Sequence, residues 1–205
     1  MPLTPPSRVA VFLDRDGTLN IERGYLRQVS DVALIPEAAA AIRRLNDAGV
    51  LAILTTNQSG VARGFYDEAH VKALNERVNK LLADQAGARL DAMYYSPYLP
   101  TGKVPEYTRE SECRKPATGM ILEACKAFPE IDLTQSFVVG DKASDIEFAH
   151  NAGCKGILVK TGYGERVLEG KYQFLSQQAA QPWRICAHIG EAVDAILTEV
   201  FSMNT

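Results

Sequence analysis

Residues 8–20 read RVAVFLDRDGTLN, and the fold turns on what happens where the apolar run Val9, Ala10, Val11, Phe12, Leu13 meets Asp14. Residues two apart on an extended segment point to one side. Asp14 and Asp16 are therefore expected to face a common space at the end of a strand, where close carboxylates raise each other's pKa or share a cation. A local reading competes with this one, because Asp16-Gly17 between apolar residues is also a β-hairpin signal. The rest of the chain decides between them.

Working outward, apolar runs alternate with helical spacings. Pro36 stands where a helix is expected to start, Ala38, Ala41, Ile42 and Leu45 follow at i, i+3, i+4, i+7, and Gly49 ends the pattern. Residues 50–54 form a continuous apolar run, as in a strand buried on both faces of a parallel sheet, and end on Thr55, Thr56, Asn57, Gln58, Ser59 and Gly60. A second amphipathic helix is expected over about 67–83, with Val71, Leu74, Val78, Leu81 and Leu82 on one stripe. Residues 90–95 read as a strand. Residues 96–112 are an irregular stretch rich in Pro, Tyr and charge, a length that marks a functional or disordered loop.

Beyond it, Cys113-Arg114-Lys115-Pro116 leads into a helix ending near 128. Residues 136–140 read as a strand ending in Gly140-Asp141, Ser144 and Glu147 as a capping box, and Gly153 as the stop of the helix that follows. A strand over 156–160 leads to Thr161-Gly162-Tyr163-Gly164. Residues 165–182 carry no assignment, 184–187 read as a last strand, and Ala192, Val193, Ile196, Leu197 and Val200 stripe a last helix. Strands alternating with helices imply an α/β fold, doubly wound, with a largely parallel sheet sandwiched by helices. Ligands of such folds bind beyond the carboxyl ends of the strands. Asp14, Asp16, Thr56, Asn57 and Asp141 all fall there, which favours the chemical reading of the opening stretch over the hairpin.

A chain of 205 residues suits one domain, 1–205, and the stretches 17–35 and 60–112 are too short or too occupied by regular elements for a separate cap domain. With 25 acidic and 22 basic residues, a net charge of -3 and no run of Lys or Arg, a nucleic-acid partner is not expected. No apolar run approaches a membrane span, and MPLTPPSR lacks the plan of a signal peptide. Cys113, Cys125, Cys154 and Cys186 form no CxxC pair, so reduced thiols and a cytoplasmic location are expected.

Three carboxylates at neighbouring strand ends suit Mg2+, which takes one or two carboxylates plus a phosphate and keeps several waters. Lys115, directly before Pro116 as the expected first helical residue, would place a cation at the positive end of a helix dipole. A bound anion would reverse that penalty. The plainer readings are a solvated lysine, a turn residue at Asp141 and a strand-closing turn at Thr56. As a set, the residues supply a carboxylate nucleophile, a second carboxylate for acid/base work, and Thr and Lys donors around a transferring phosphoryl group.

DRDGTLN, TTNQSG, CRKP and GDKASD, in this order, resemble the four motifs of the haloacid dehalogenase superfamily of phosphohydrolases. Gly24-Tyr25, TNQSGVARG, Tyr94-Tyr95 and RKPATGM look like its branch of heptose bisphosphate phosphatases, near the histidinol-phosphate phosphatases, over residues 8–162. The resemblance implies that Asp14 attacks phosphorus to form an aspartyl-phosphate, and that Asp16 protonates the leaving oxygen and then activates water. It implies Mg2+ on Asp14, Asp141 and the backbone carbonyl of Asp16, with Asp145 behind them. Thr56 and Lys115 would stabilise the phosphoryl oxygens. Substrate contacts would fall on Glu22, Arg23, Gly24, Tyr25, Asn57, Gln58, Ser59, Arg114 and Lys142, with Arg23 and Arg114 candidates for a second phosphate.

The implied substrate is a small phosphorylated sugar, heptose 1,7-bisphosphate, hydrolysed at its 7-phosphate during nucleotide-activated heptose biosynthesis. Histidinol phosphate or another phosphomonoester is the alternative, and an inert sugar-phosphate-binding module or a dehalogenase stands further off. Oligomerisation is not expected. One departure is plain: where this branch commonly carries a zinc site, the chain has Ser96, Tyr98, Ser111 and Cys113, and one thiolate cannot build a tetrahedral structural site. No zinc is expected. His70, His150 and His188 are scattered, so Pro97, Pro100, Pro105, Tyr98 and Tyr107 are expected to hold the loop instead.

Overall fold

The computed structural model describes residues 7–171 and 181–203. The leader reading at 1–6, and residues 172–180 of the stretch left unassigned, lie outside them. The strands are β1 (Ala10–Leu13), β2 (Leu51–Asn57), β3 (Ala92–Ser96), β4 (Phe137–Gly140), β5 (Lys155–Val159) and β6 (Arg184–Cys186). The helices are α1 (Ala38–Asp47), α2 (Glu68–Ala86), α3 (Gly119–Ala127), α4 (Ala143–Ala152), α5 (Gly164–Leu168) and α6 (Ile189–Met203). One sheet runs β3-β2-β1-β4-β5-β6, every pair parallel.

Leu13 lies opposite Leu54 on one side and Val139 on the other. The stretch before Asp14-Arg15-Asp16-Gly17 is thus a central parallel strand, and the hairpin reading is excluded. Alternation along β1 divides the core. Val11 and Leu13 pack with Ile42, Leu45, Leu74, Val78, Val193 and Ile196, from α1, α2 and α6. Ala10 and Phe12 pack with Met120, Ile121, Ala124 and Phe148, from α3 and α4. The sheet is therefore covered on both faces, the setting in which continuous apolar strands are stable. Among the described residues, neither insertion builds a separate cap domain: the first contains a 3-10 turn at Val29–Asp31, and the second α2, β3 and a turn at Pro105–Tyr107.

Three local expectations change. Pro36 precedes a left-handed Glu37, φ 71°, and α1 begins only at Ala38. Helix α2 starts where expected, capped by Asp67, whose carboxylate accepts from the His70 N–H at 2.8 Å. Helix α4 is capped by Asp145, which accepts from the Lys142 N–H at 3.0 Å; Ser144 and Glu147 lie inside the helix. Helix α3 starts at Gly119, three residues after Pro116. The dipole argument for Lys115 therefore does not hold, and its position needs another cause.

Candidate active site

The strand order reverses between β1 and β4, and a doubly wound sheet opens a crevice at that switch point. Asp14 follows β1 and Asp141 follows β4, so the topology brings the two together across 127 residues of sequence. Strand β1 stops at Leu13, and the chain then folds on itself: Gly17 N–H donates to Asn20 O at 2.8 Å and Leu19 N–H to Arg15 O at 2.9 Å. Asp14 and Asp16 do share a cleft, through this loop rather than through strand periodicity. Its volume is ≈ 180 Å³, and its walls include both aspartates, Glu22, Gly24, Tyr25, Thr56, Asn57, Gln58, Ser59, Lys115 and Lys142.

Asp14 is buried. Its Oδ1 accepts from Lys115 Nζ at 2.8 Å and its Oδ2 from Lys142 Nζ at 3.2 Å. Burial alone would raise its pKa, but the two ammoniums outweigh burial and hold the carboxyl well below the usual range. Lys115 is placed by tertiary contacts: its ammonium also meets Asp145 Oδ1 at 2.6 Å and Thr55 O at 2.9 Å. Its backbone is pinned by Asn57, whose amide accepts from Lys115 N–H at 3.0 Å and donates to Lys115 O at 3.1 Å. Burial opposes the Lys115 charge, and Asp14 and Asp145 more than restore it.

Lys142 carries the most informative contacts. Its ammonium lies 2.8 Å from Asp141 Oδ1, 3.2 Å from Asp14 Oδ2 and 3.4 Å from the backbone carbonyl of Asp16. These are the three oxygens the resemblance assigns to Mg2+, and an ammonium sits among them as a stand-in cation. Asp14, Asp141 and Asp145 also offer carboxylate oxygens all within 4.8 Å of one another. Three buried carboxylates face two ammoniums, which leaves one negative charge uncompensated. Burial, with Asp14 and Asp145 adding to it against Lys142, accordingly pushes Asp141 up to about 7. An all-oxygen donor set short of one positive charge fits a hard divalent cation.

The backbone makes room for Asp141. A Cβ on Gly17 or Gly162, both at positive φ, would run into its Oδ2, and that oxygen accepts from Tyr163 N–H at 2.8 Å.

Asp16 is held by Arg15 Nη2 at 2.9 Å, Asn20 Nδ2 at 3.0 Å and Gln58 Nε2 at 3.0 Å. Arg15 is 2% exposed and also donates to Asn75 at 2.9 Å and Gln58 at 3.0 Å. Neither Arg15 nor Asn75 was read from sequence as part of the site. A signal existed for Asn75, a polar residue on the buried stripe of α2 beside Leu74 and Val78; Arg15 offered none. Gln58 further donates to Thr56 Oγ1 at 3.0 Å, so Gln58 and Asn57 brace the site as well as line it. Glu22 accepts from Gly24 N–H at 2.5 Å, and burial raises its pKa. Tyr25 is exposed, edge-on to Phe65 at 4.7 Å. Arg23 is exposed and Arg114 half-buried; neither lines the cleft.

A doubly wound parallel sheet with paired aspartates after β1, a lysine bridging two buried carboxylates and an aspartate after β4 defines the class of the haloacid dehalogenase-like hydrolases. A family model described as HAD-hydrolase-like matches residues 112–192. The D-glycero-D-manno-heptose-1,7-bisphosphate 7-phosphatase of Thermosynechococcus vestitus is 50% identical over 196 residues, 94% of this chain and 97% of that protein. The D-glycero-beta-D-manno-heptose-1,7-bisphosphate 7-phosphatase of Haemophilus ducreyi is 46% identical over 75% of this chain and 84% of that one. The crystal structure of the D,D-heptose 1,7-bisphosphate phosphatase of B. bronchiseptica, complexed with magnesium and phosphate, superposes with a TM-score of 0.80 at 30% identity, covering 93% of this chain and 99% of that one. The chain belongs to the heptose-1,7-bisphosphate 7-phosphatase family of HAD-like hydrolases.

Proposed function

We propose that this protein is a Mg2+-dependent phosphohydrolase that removes the 7-phosphate of D-glycero-D-manno-heptose 1,7-bisphosphate in nucleotide-activated heptose biosynthesis. The observation that carries the reading is Asp14: a buried carboxylate kept ionised by two ammoniums, at the floor of a polar cleft. Asp14 attacks the phosphorus, the bond to the sugar oxygen breaks, and Asp16 gives that oxygen a proton, leaving an aspartyl-phosphate. Asp16 then takes a proton from water, the water oxygen bonds to phosphorus, and Asp14 is released with inorganic phosphate. Thr56 and Lys115 donate to the phosphoryl oxygens.

Asp14, Asp141 and the Asp16 carbonyl would hold Mg2+, with Lys142 displaced toward substrate and Asp145 orienting Lys115 from behind. When bound, the ion supplies charge that offsets repulsion between Asp14 and the phosphoryl group. Glu22, Gly24, Tyr25, Asn57, Gln58 and Ser59 shape the sugar site, with Arg114 and Arg23 toward the second phosphate. In this reading residues 1–205 act as one domain, as a monomer in the cytoplasm. No helix among the described residues is long and apolar enough to cross a membrane.

Phosphate release measured on both anomers of heptose 1,7-bisphosphate and on histidinol phosphate tests the proposal. The β anomer belongs in the comparison because the name of the Haemophilus ducreyi relative specifies it. Turnover is expected to favour a heptose bisphosphate by about a hundredfold in kcat/KM, since a site built for a second phosphate rejects a substrate lacking it. It should stop in EDTA and return with Mg2+. Preference for histidinol phosphate would overturn the substrate, and undiminished rates in EDTA would overturn the metal.

The reading also has the 96–112 loop held without zinc. Cys113 packs against the apolar cluster of α3 and α4, and its N–H donates to Ser111 Oγ at 3.2 Å. Elemental analysis of purified protein is expected to find no stoichiometric zinc; one zinc per chain would count against this part.

A further inference from the structure

Glu68 opens α2, 52 residues after Asp16 in sequence, and lies outside the walls of the cleft. Its carboxylate accepts two phenol hydroxyls: Tyr95, from the edge strand β3, at 2.6 Å, and Tyr107, from the 3-10 turn of the 96–112 loop, at 2.9 Å. Hydrogen bonds to an ionised acceptor are about twice as strong as neutral ones, and a carboxylate in the first turn of a helix is further favoured by the helix dipole. Three elements distant in sequence are thus tied at one carboxylate. The sequence patterns singled out Tyr107 but not its partner.

What the clamp holds is informative. Tyr107 O accepts from Leu99 N–H at 3.1 Å, its ring lies 6.0 Å from that of Tyr98, and the guanidinium of Arg109 covers Tyr98 at 4.3 Å. Tyr98 O in turn accepts from Arg114 Nη1 at 2.9 Å. The same loop grips a second point, because Lys103 N–H and Val104 N–H both donate to Ala62 O, at 2.6 and 2.9 Å. Gly102 is required there, since a Cβ would stand 2.8 Å from that oxygen.

Ala62 precedes Arg63, whose own N–H donates to Ser59 O at 3.0 Å, beside the cleft. Arg63 Nε is buried without a hydrogen-bond partner among the described residues. Burial first, and then the charge of Arg63, lowers the pKa of Arg114, so the two guanidiniums face each other's field. Two guanidiniums with donors to spare, one on the segment anchored to Ser59 O and one next to Lys115, suit a doubly charged phosphate.

We propose that the Glu68–Tyr95–Tyr107 clamp is a positioning element for the substrate's second phosphate. It fixes the loop that tethers Arg114 through Tyr98 O and carries Arg63 through Ala62 O, and Arg63 joins Arg114 as a specificity residue. The inference rests on the bisphosphate reading above. Glu68 does not touch substrate; it acts through the two arginines.

The test compares Glu68→Ala, Glu68→Gln and Tyr107→Phe on heptose 1,7-bisphosphate and on p-nitrophenyl phosphate, which has one phosphate. Glu68→Ala is expected to raise KM for the bisphosphate about tenfold, the size of one lost interaction with a charged group, with kcat and the p-nitrophenyl phosphate rate within about twofold. Glu68→Gln, which keeps an acceptor, should recover part of the loss, and Tyr107→Phe should show the same selectivity at smaller size. The Lys103 and Val104 amides should exchange faster with solvent in Glu68→Ala. Equal losses on both substrates, or an unchanged bisphosphate KM, overturn the inference. If Glu68→Ala does not fold, Tyr107→Phe, which deletes one hydroxyl, decides by the same comparison. A wild-type protein inactive on the bisphosphate would instead overturn the substrate reading, while amide exchange would still report whether the clamp holds the loop.

Discussion

Asp14→Asn is expected to abolish turnover while leaving the fold intact. The loss in kcat should be about 10⁴-fold or more, the scale seen when a nucleophile is removed and only binding and electrostatics remain. The amide keeps the shape of the carboxylate but cannot form the acyl phosphate. Stability should not fall with activity, and the reason lies in the charge balance of the site. Asp14, Asp141 and Asp145 face Lys115 and Lys142, so removing one carboxylate leaves two of each sign. Single-turnover phosphate release together with thermal melting of the metal-free protein checks both halves. Wild-type rates in the variant would overturn the reading of Asp14.

Lys115→Met should fail in both respects at once. It leaves three buried carboxylates with Lys142 as the sole ammonium of the cluster. Removing one partner of a buried pair typically costs about 3–5 kcal/mol, because the remaining charge is left uncompensated. Asp14 and Asp145 are 4% and 0% exposed, so water cannot relieve them. Denaturant unfolding at neutral pH is expected to show that loss, and Mg2+ should restore part of it, since the ion binds the folded state and supplies the missing charge. A variant as stable as wild type would mean that Lys115 is not the counter-charge its 2.8 and 2.6 Å contacts make it. Activity should be lost in any case, because the donor to the phosphoryl oxygen is gone.

The contrast between these two substitutions follows from one cluster, and its members differed in how legible they were. Asp14 and Asp141 could be placed because each follows an apolar run, and such runs in a doubly wound sheet end on the ligand-binding side. Lys115 reaches the cluster for a different reason than its neighbours in sequence suggest. Pro116 does not begin a helix; α3 starts at Gly119, and the ammonium is drawn inward by Asp14 and Asp145 from elements 101 and 30 residues away. Lys142 was read as a substrate contact, and the structure places its ammonium among the oxygens of Asp14, Asp141 and Asp16. A lysine next to an aspartate in sequence says nothing about which third group they share.

The network beneath the site was the least legible part. Arg15 stands between two aspartates in DRDGT, where its own neighbours would suggest a solvated side chain, yet it is buried and divides its donors among Asp16, Asn75 and Gln58. Glu68 is an acid in the first turn of α2, and its tyrosine partners lie 27 and 39 residues on. Hydrogen-bond partners across such separations leave no periodic trace. Burial of a charged group is decided by what surrounds it, not by its flanking residues.

By itself the sequence determined the alternation of strands and helices, the ends of the strands on which Asp14, Asp16, Thr56 and Asp141 fall, and through its motifs the family. Those properties are local: apolar period sets element type, and a carboxylate after an apolar run marks a strand end. Only the tertiary structure decided that the strand order reverses between β1 and β4, that three carboxylates and two ammoniums share one buried space, and that the 96–112 loop hangs from Glu68. Charge compensation in a buried space is a property of groups brought together from three parts of the chain, and no single stretch of sequence contains it.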